Sequence, residues 1–157
     1  MVANNKTVRE ITVTHLFDAP RALVFKAWTD QKLLAQWWGP HGFTSPVCDW
    51  NATPGGSIRI HMRGPDGTIY PMTGVFREIV APERLVFTTT PLDDNGVPIF
   101  ELLQTVTLVE EAGKTKVSVF SQVLSATAQA DIYLQGMEEG WSQSLECLAD
   151  LVKEQHA

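Results

Sequence analysis

What this sequence has little of narrows it before any motif is read. Its two cysteines, Cys48 and Cys147, lie about a hundred residues apart and form no CxxC pair, so two reduced thiols are expected rather than a disulfide framework. The four histidines, His15, His41, His61 and His156, are scattered without HxxxH or HExxH spacing, so no metal and no cofactor is expected. Lys and Arg number 12 against 18 Asp and Glu, a net charge of −6, which argues against a nucleic-acid partner. No stretch approaches the roughly 18 apolar residues of a membrane span. The segment Met1–Thr7 is polar and lacks the apolar run of a signal peptide, so a cytoplasmic location is expected. Ser57, Ser121 and Ser142 stand in no GxSxG context, and neither cysteine has a histidine beside it in sequence, so no nucleophile declares itself.

What is present reads as one domain over 1–157, with its core from about 8 to 154 and 44 % apolar residues to fill it. Thr7–Phe17 alternates Ile11, Val13, His15 and Phe17 against Thr12, Thr14 and Leu16, the period of a strand. Asp18 offers an N-cap, and Pro20 suits a first helical turn. Ala22–Trp28 and Lys32–Trp38 read as two short helices broken at Thr29-Asp30. Leu33, Leu34 and Trp37 share one face, which puts Trp37 in the core and Trp38 at the helix end before Gly39-Pro40. Six further strands are expected at Pro46–Asn51, Ser57–Arg63, Thr68–Val80, Arg84–Thr90, Ile99–Val109 and Thr115–Val123. The turns between them are rich in Gly, Pro, Asp and Asn, so these strands form sequential antiparallel hairpins. Gly74 marks a bulge where the sheet bends. After the N-cap Ser125, Ala126–Gln155 carries Leu134, Met137, Trp141, Leu145, Leu148 and Val152 at helical steps, an amphipathic helix of about 30 residues. Gly136 and Gly140 interrupt it on one face, each costing about 1 kcal/mol against alanine in a helix interior, and so leave room beside the helix. His156 is expected in a solvated tail.

The order strand, two short helices, six strands, long helix predicts an α+β fold. A curved seven-stranded antiparallel sheet wraps around the C-terminal helix, and the gap between them is a natural cavity. The segments FDAPRALVFKAWTD, QWWGP, DWNATPGGSIR, GPDGTIYPMTGVFREIVAPERLVFT and GMEEGWSQSLECLADLV carry a resemblance in that order. From about Ile11 to Val152 the chain resembles the SRPBCC superfamily, in its branch named for the activator of heat-shock protein 90 ATPase, like the C-terminal domain of those proteins. That resemblance implies a helix-grip fold related to the START lipid-transfer and birch-pollen-allergen folds. It also implies a deep apolar pocket, in proteins described variously as lipid-binding, polyketide-cyclase-like or aromatase-like.

The leading expectation is binding of a small hydrophobic or amphipathic molecule. Its candidate lining residues are Trp38, Phe43, Trp50, Met62, Met72, Phe76, Phe87, Met137 and Trp141. Candidate polar groups are His41, Arg59, His61, Glu101 and Tyr133, although strict alternation with Ile58, Ile60 and Met62 turns Arg59, His61 and Arg63 toward water. A second reading is a cyclase-, aromatase- or hydrolase-like enzyme, which needs one of those polar groups buried and aimed into the pocket. It is the less favoured of the two. A third is protein interaction, as a homodimer through exposed sheet or as a chaperone cofactor. The chaperone version is disfavoured because the chain begins about ten residues before the first strand, without the separate chaperone-engaging domain of the eukaryotic co-chaperones.

Overall fold

Alternating β-branched and apolar residues punctuated by turn residues build most of the chain into one sheet. The computed structural model describes residues 10–126 and 136–156. The strands are β1 (Glu10–Phe17), β2 (Thr44–Trp50), β3 (Ser57–Arg63), β4 (Ile69–Val80), β5 (Arg84–Pro91), β6 (Phe100–Glu111) and β7 (Lys114–Ala126). Two short helices, α1 (Arg21–Thr29) and α2 (Gln31–Trp37), follow β1, and α3 (Met137–His156) closes the chain. The sheet order is β1-β7-β6-β5-β4-β3-β2, antiparallel throughout. The α+β helix-grip architecture expected from the sequence is thus the one observed. The pairing of β1 with β7, Glu10 opposite Gln122 and Phe17 opposite Thr115, joins the two ends of the chain.

Three local expectations are corrected. Asp18 does not cap α1; Pro20 holds that position and no side chain caps it. The cap that the sequence supplies is Asp30, which ends α1 and accepts hydrogen bonds from the backbone N–H groups of Lys32 (2.9 Å) and Leu33 (3.3 Å) to start α2. The register step of β4 on β5 falls between Phe76 and Glu78, not at Gly74. Gly74 is required for a different reason: a Cβ there would lie 2.0 Å from the Thr88 carbonyl oxygen. Finally, Ser125 and Ala126 end β7 instead of capping and opening the last helix; α3 runs from Met137 to His156, and positions 127–135 of the expected helix, with Leu134, lie outside the described residues.

The inner face of the sheet and the helices share one core. Val13, Phe17, Ile60, Leu85, Val106 and Val117 belong to one buried cluster with Leu145, Leu148 and Val152 of α3. Strand β2, at the sheet edge, is tied to α2 by its Trp50 N–H donating to Gln31 Oε1 at 2.9 Å. Contacts of α3 are made chiefly with β1, α1 and α2, so its C-terminal half is packed while its first turns face the sheet across a gap.

Two substitutions test this account. Gly74→Ala forces a Cβ onto backbone that cannot rotate away, and should lower stability in urea by about 2 kcal/mol or more. In the β6–β7 turn Ala112 sits at φ 53° before Gly113 at φ 81°, a conformation that favours asparagine and glycine. Ala112→Asn should therefore raise stability by about 0.5–1 kcal/mol, read as a higher thermal midpoint.

Candidate ligand pocket

The pocket begins at a corner. After α2 ends at Trp37, Gly39 adopts φ 112° and turns the chain toward β2. A Cβ at Gly39 would lie 3.1 Å from Phe43 Cβ and 3.3 Å from Met62 Sδ, so the missing side chain lets those two residues close in. Trp37 and Trp38 part company here. Trp37 is core, its indole N–H donating to the Ala27 carbonyl at 2.9 Å. Trp38 is 8 % exposed and touches Trp37, Trp50 and Trp141, with ring centroids 5.9, 5.3 and 5.3 Å away. Trp28 completes the group, 4.7 Å from Trp37 and 6.0 Å from Trp141. Its carbonyl accepts the Trp50 indole N–H at 2.8 Å, while its own buried Nε1 has no partner among the described residues.

On the far side of Trp38 and Trp141 opens a cavity of about 380 Å³ between the sheet and the start of α3. The corner contributes Trp38, Gly39, Pro40 and Phe43; β3 and β4 contribute Met62, Tyr70 and Met72. Strands β5 and β6 contribute Thr89, Pro91, Phe100 and Gln104. From the helical side come Gly136, Met137, Gly140, Trp141 and Ser144. Positions 136, 140 and 144 recur at one helical turn, as do 137 and 141, so a single stripe faces the cavity. Among the described residues a Cβ at Gly136 would meet nothing within 4 Å, and one at Gly140 only Pro40 Cγ at 3.8 Å.

Of the expected lining residues, Trp38, Phe43, Met62, Met72, Met137 and Trp141 border this cavity. Trp50, Phe76 and Phe87 do not. They form an edge-to-face aromatic set one layer below, with centroids 4.9 to 5.5 Å apart, because the inward curl of β2, β4 and β5 presses their rings together. Among the expected polar groups, Arg59 lies on the outer face of the sheet, 3.6 Å from Asp49, and its strand neighbour His61 also lies off the cavity. Glu101 pairs across to Ser125 and points away from the lining set, being odd in register where Gln104 is even. Tyr133 lies outside the described residues.

His41 also faces away from the cavity, toward α3. Its backbone N–H donates to Gln143 Oε1 at 3.2 Å, and Nε2 lies 2.7 Å from Glu146 Oε1. With Nε2 giving its proton to Glu146, Nδ1 is left facing Cys147 Sγ at 3.6 Å. This order of thiol, imidazole and carboxylate matches a nucleophile with its base. The electrostatics oppose that use: burial, then the charges of Asp150 and Glu146, push the Cys147 thiol up, so it holds its proton. The His41 and Glu146 side chains are 53 % and 56 % exposed, the setting in which an ion pair contributes about 1 kcal/mol or less. The cluster is a clasp holding the corner to α3. Cys48, the second free thiol, is pushed up to about 11 by burial and by Asp49. Among the described residues no group of three His, Cys, Asp or Glu is arranged to hold a metal, and no helix is long and apolar enough to cross a membrane.

Among the described residues the polar groups bordering the cavity are the buried Gln104, Thr89 and Ser144 and, at its exposed side, the hydroxyl of Tyr70. Gln104 carried a readable signal. It stands among Phe100, Leu102, Val106 and Leu108 on the period-two face of β6, and a polar residue in an inward apolar row requires an internal partner. That partner is Ser121, whose hydroxyl donates to Gln104 Oε1. Ser144 was signalled only by falling one turn beyond Gly140.

Solved structures with this arrangement are numerous. A protein from Arthrobacter aurescens is 28 % identical with a TM-score of 0.81, covering 96 % of this chain and 90 % of its own. One from Chromobacterium violaceum is 29 % identical at a TM-score of 0.76, over 92 % of this chain and 96 % of its own. The AHSA1 protein of Silicibacter pomeroyi, at 24 % identity and a TM-score of 0.81 over 94 % of this chain and 99 % of its own, shares the fold. No functionally curated protein matches the sequence. The sequence matches the family described as "Activator of Hsp90 ATPase homolog 1-like protein" over residues 18–153, nearly its whole length, and the chain belongs to that family.

Proposed function

We propose that this protein binds a small hydrophobic molecule in the cavity between the sheet and the first turns of α3. The observation that carries this is the cavity itself: about 380 Å³, walled by aromatic rings and methionines. Its size is at the compact end of the roughly 300–1,000 Å³ range of small-molecule sites, suited to one or two rings rather than a long acyl chain. Burying a ligand's apolar surface there contributes about 25 cal/mol per Å² removed from water, before the costs of association. Two thioether side chains that border it, Met62 and Met72, adapt their shape to a ring more readily than branched residues do.

The sequence keeps the space open where filling it would be easy. Leucine or alanine at position 140 would favour the helix by about 1 kcal/mol, yet glycine stands there. The acid–base reading has less support, because among the described residues the groups bordering the cavity include no carboxylate, imidazole, amine or guanidinium.

Native mass spectrometry of freshly purified protein should show a retained small molecule, or uptake of added naphthalene-type hydrocarbons one per chain. Gly140→Leu projects an isobutyl group toward the cavity, where Pro40 is the one described residue within 4 Å of its Cβ. It should abolish that uptake while leaving the thermal midpoint unchanged or higher. Full uptake by Gly140→Leu would refute the placement.

A further inference from the structure

Two buried polar groups on the cavity wall, Gln104 and Thr89, lie along one direction of donation. Ser121, behind the wall and fully buried, donates its hydroxyl proton to Gln104 Oε1. Gln104, 2 % exposed, donates from Nε2 to Thr89 Oγ1 at 3.1 Å. Thr89 has then accepted a hydrogen bond and still has its own proton to give, and Gln104 has a second amide proton. Neither proton has a partner among the described residues. Ser144 brings another hydroxyl from α3, likewise without a partner among them. Donation along such a chain polarises each successive group, so the end facing the cavity is a strengthened donor.

Among the described residues the same wall carries no charge: each one that borders the cavity is neutral at neutral pH, and the pair of His41 with Glu146 lies outside it. A carboxylate or phosphate held against this apolar wall would lose water there with no cation to meet it among the described residues, at a cost that apolar contact offsets poorly.

We infer that the ligand is an uncharged ring molecule carrying an acceptor oxygen, a ketone, lactone or ether, and that Gln104 and Thr89, with Ser144 opposite, select it. This rests on the pocket proposed above and adds to it the class of molecule and the residues that discriminate. The test uses three probes of one shape: acetonaphthone, ethylnaphthalene and naphthoate, titrated into the full-length protein by calorimetry and followed by proton–nitrogen NMR. Acetonaphthone should bind about five- to tenfold more tightly than ethylnaphthalene, the worth of one neutral hydrogen bond. Naphthoate should bind at least about a hundredfold more weakly than acetonaphthone. In the wild-type protein the Gln104 side-chain amide signal should shift with acetonaphthone and stay in place with ethylnaphthalene.

Gln104→Met conserves volume and should reduce the ratio of acetonaphthone to ethylnaphthalene affinity to about one. Pairing it with Ser121→Ala removes the donor that would otherwise be left unsatisfied, and Ser144→Ala offers an independent partial loss. Equal affinities for ketone and hydrocarbon with an unmoved Gln104 amide, or tightest binding of naphthoate, would overturn the inference and leave the pocket intact. If none of the three probes binds, the pocket reading falls and this inference with it.

Discussion

Five tryptophan rings from four elements meet in one cluster, and the position of every helix relative to the sheet follows from it. Trp28 comes from α1, Trp37 and Trp38 from the end of α2, Trp50 from edge strand β2 and Trp141 from α3. Each ring removes on the order of 150–250 Å² from water, and offset or edge-to-face pairs add about 0.5–1.5 kcal/mol beyond that area. The cluster is also tied by hydrogen bonds from Trp37 to Ala27 and from Trp50 to Trp28, so the short helices are held by direction as well as by burial. Neither α1 nor α2 is long enough to be stable alone. They exist because this aromatic wedge fixes them against the end of the sheet.

The same wedge creates the cavity. Trp38 and Trp141 present one side to the core and the other to open space, and their bulk holds α3 away from the sheet where its stripe carries glycine and serine. Farther along, that stripe becomes Leu145, Leu148 and Val152, and the gap closes into ordinary packing. A single helix face therefore serves two purposes, divided by side-chain volume alone. The clasp of His41 on Glu146 and Gln143 joins the corner to the opposite wall from outside and keeps ionisable groups off the interior.

Periodicity made the strands and the lining stripes legible, since a period of two or of three to four says which side chains share a face. Trp38, Phe43, Met62, Met72, Met137 and Trp141 border the cavity, whereas Trp50, Phe76 and Phe87 also face inward but pack on one another, because periodicity cannot separate a residue under a cavity from one beside it. The polar groups differ for a related reason. His41, Arg59 and Glu101 attract notice as reactive types, whereas the polar residues that border the cavity are Tyr70, Thr89, Gln104 and Ser144. The Cys147–His41 approach joins residues more than a hundred positions apart and has no local signature.

By itself the sequence determined the order of elements, the hairpins, the helix break at Asp30, the core position of Trp37, and the family resemblance from end to end. These rest on local spacing, capping and turn chemistry, which are properties of neighbours along the chain. Only the tertiary structure decided that β1 closes on β7, that Thr88 leaves no space for a side chain at Gly74, and that Ser121, Gln104 and Thr89 align as a one-way chain of donors. Those depend on the curvature of the sheet and the register between distant strands, which no local pattern encodes.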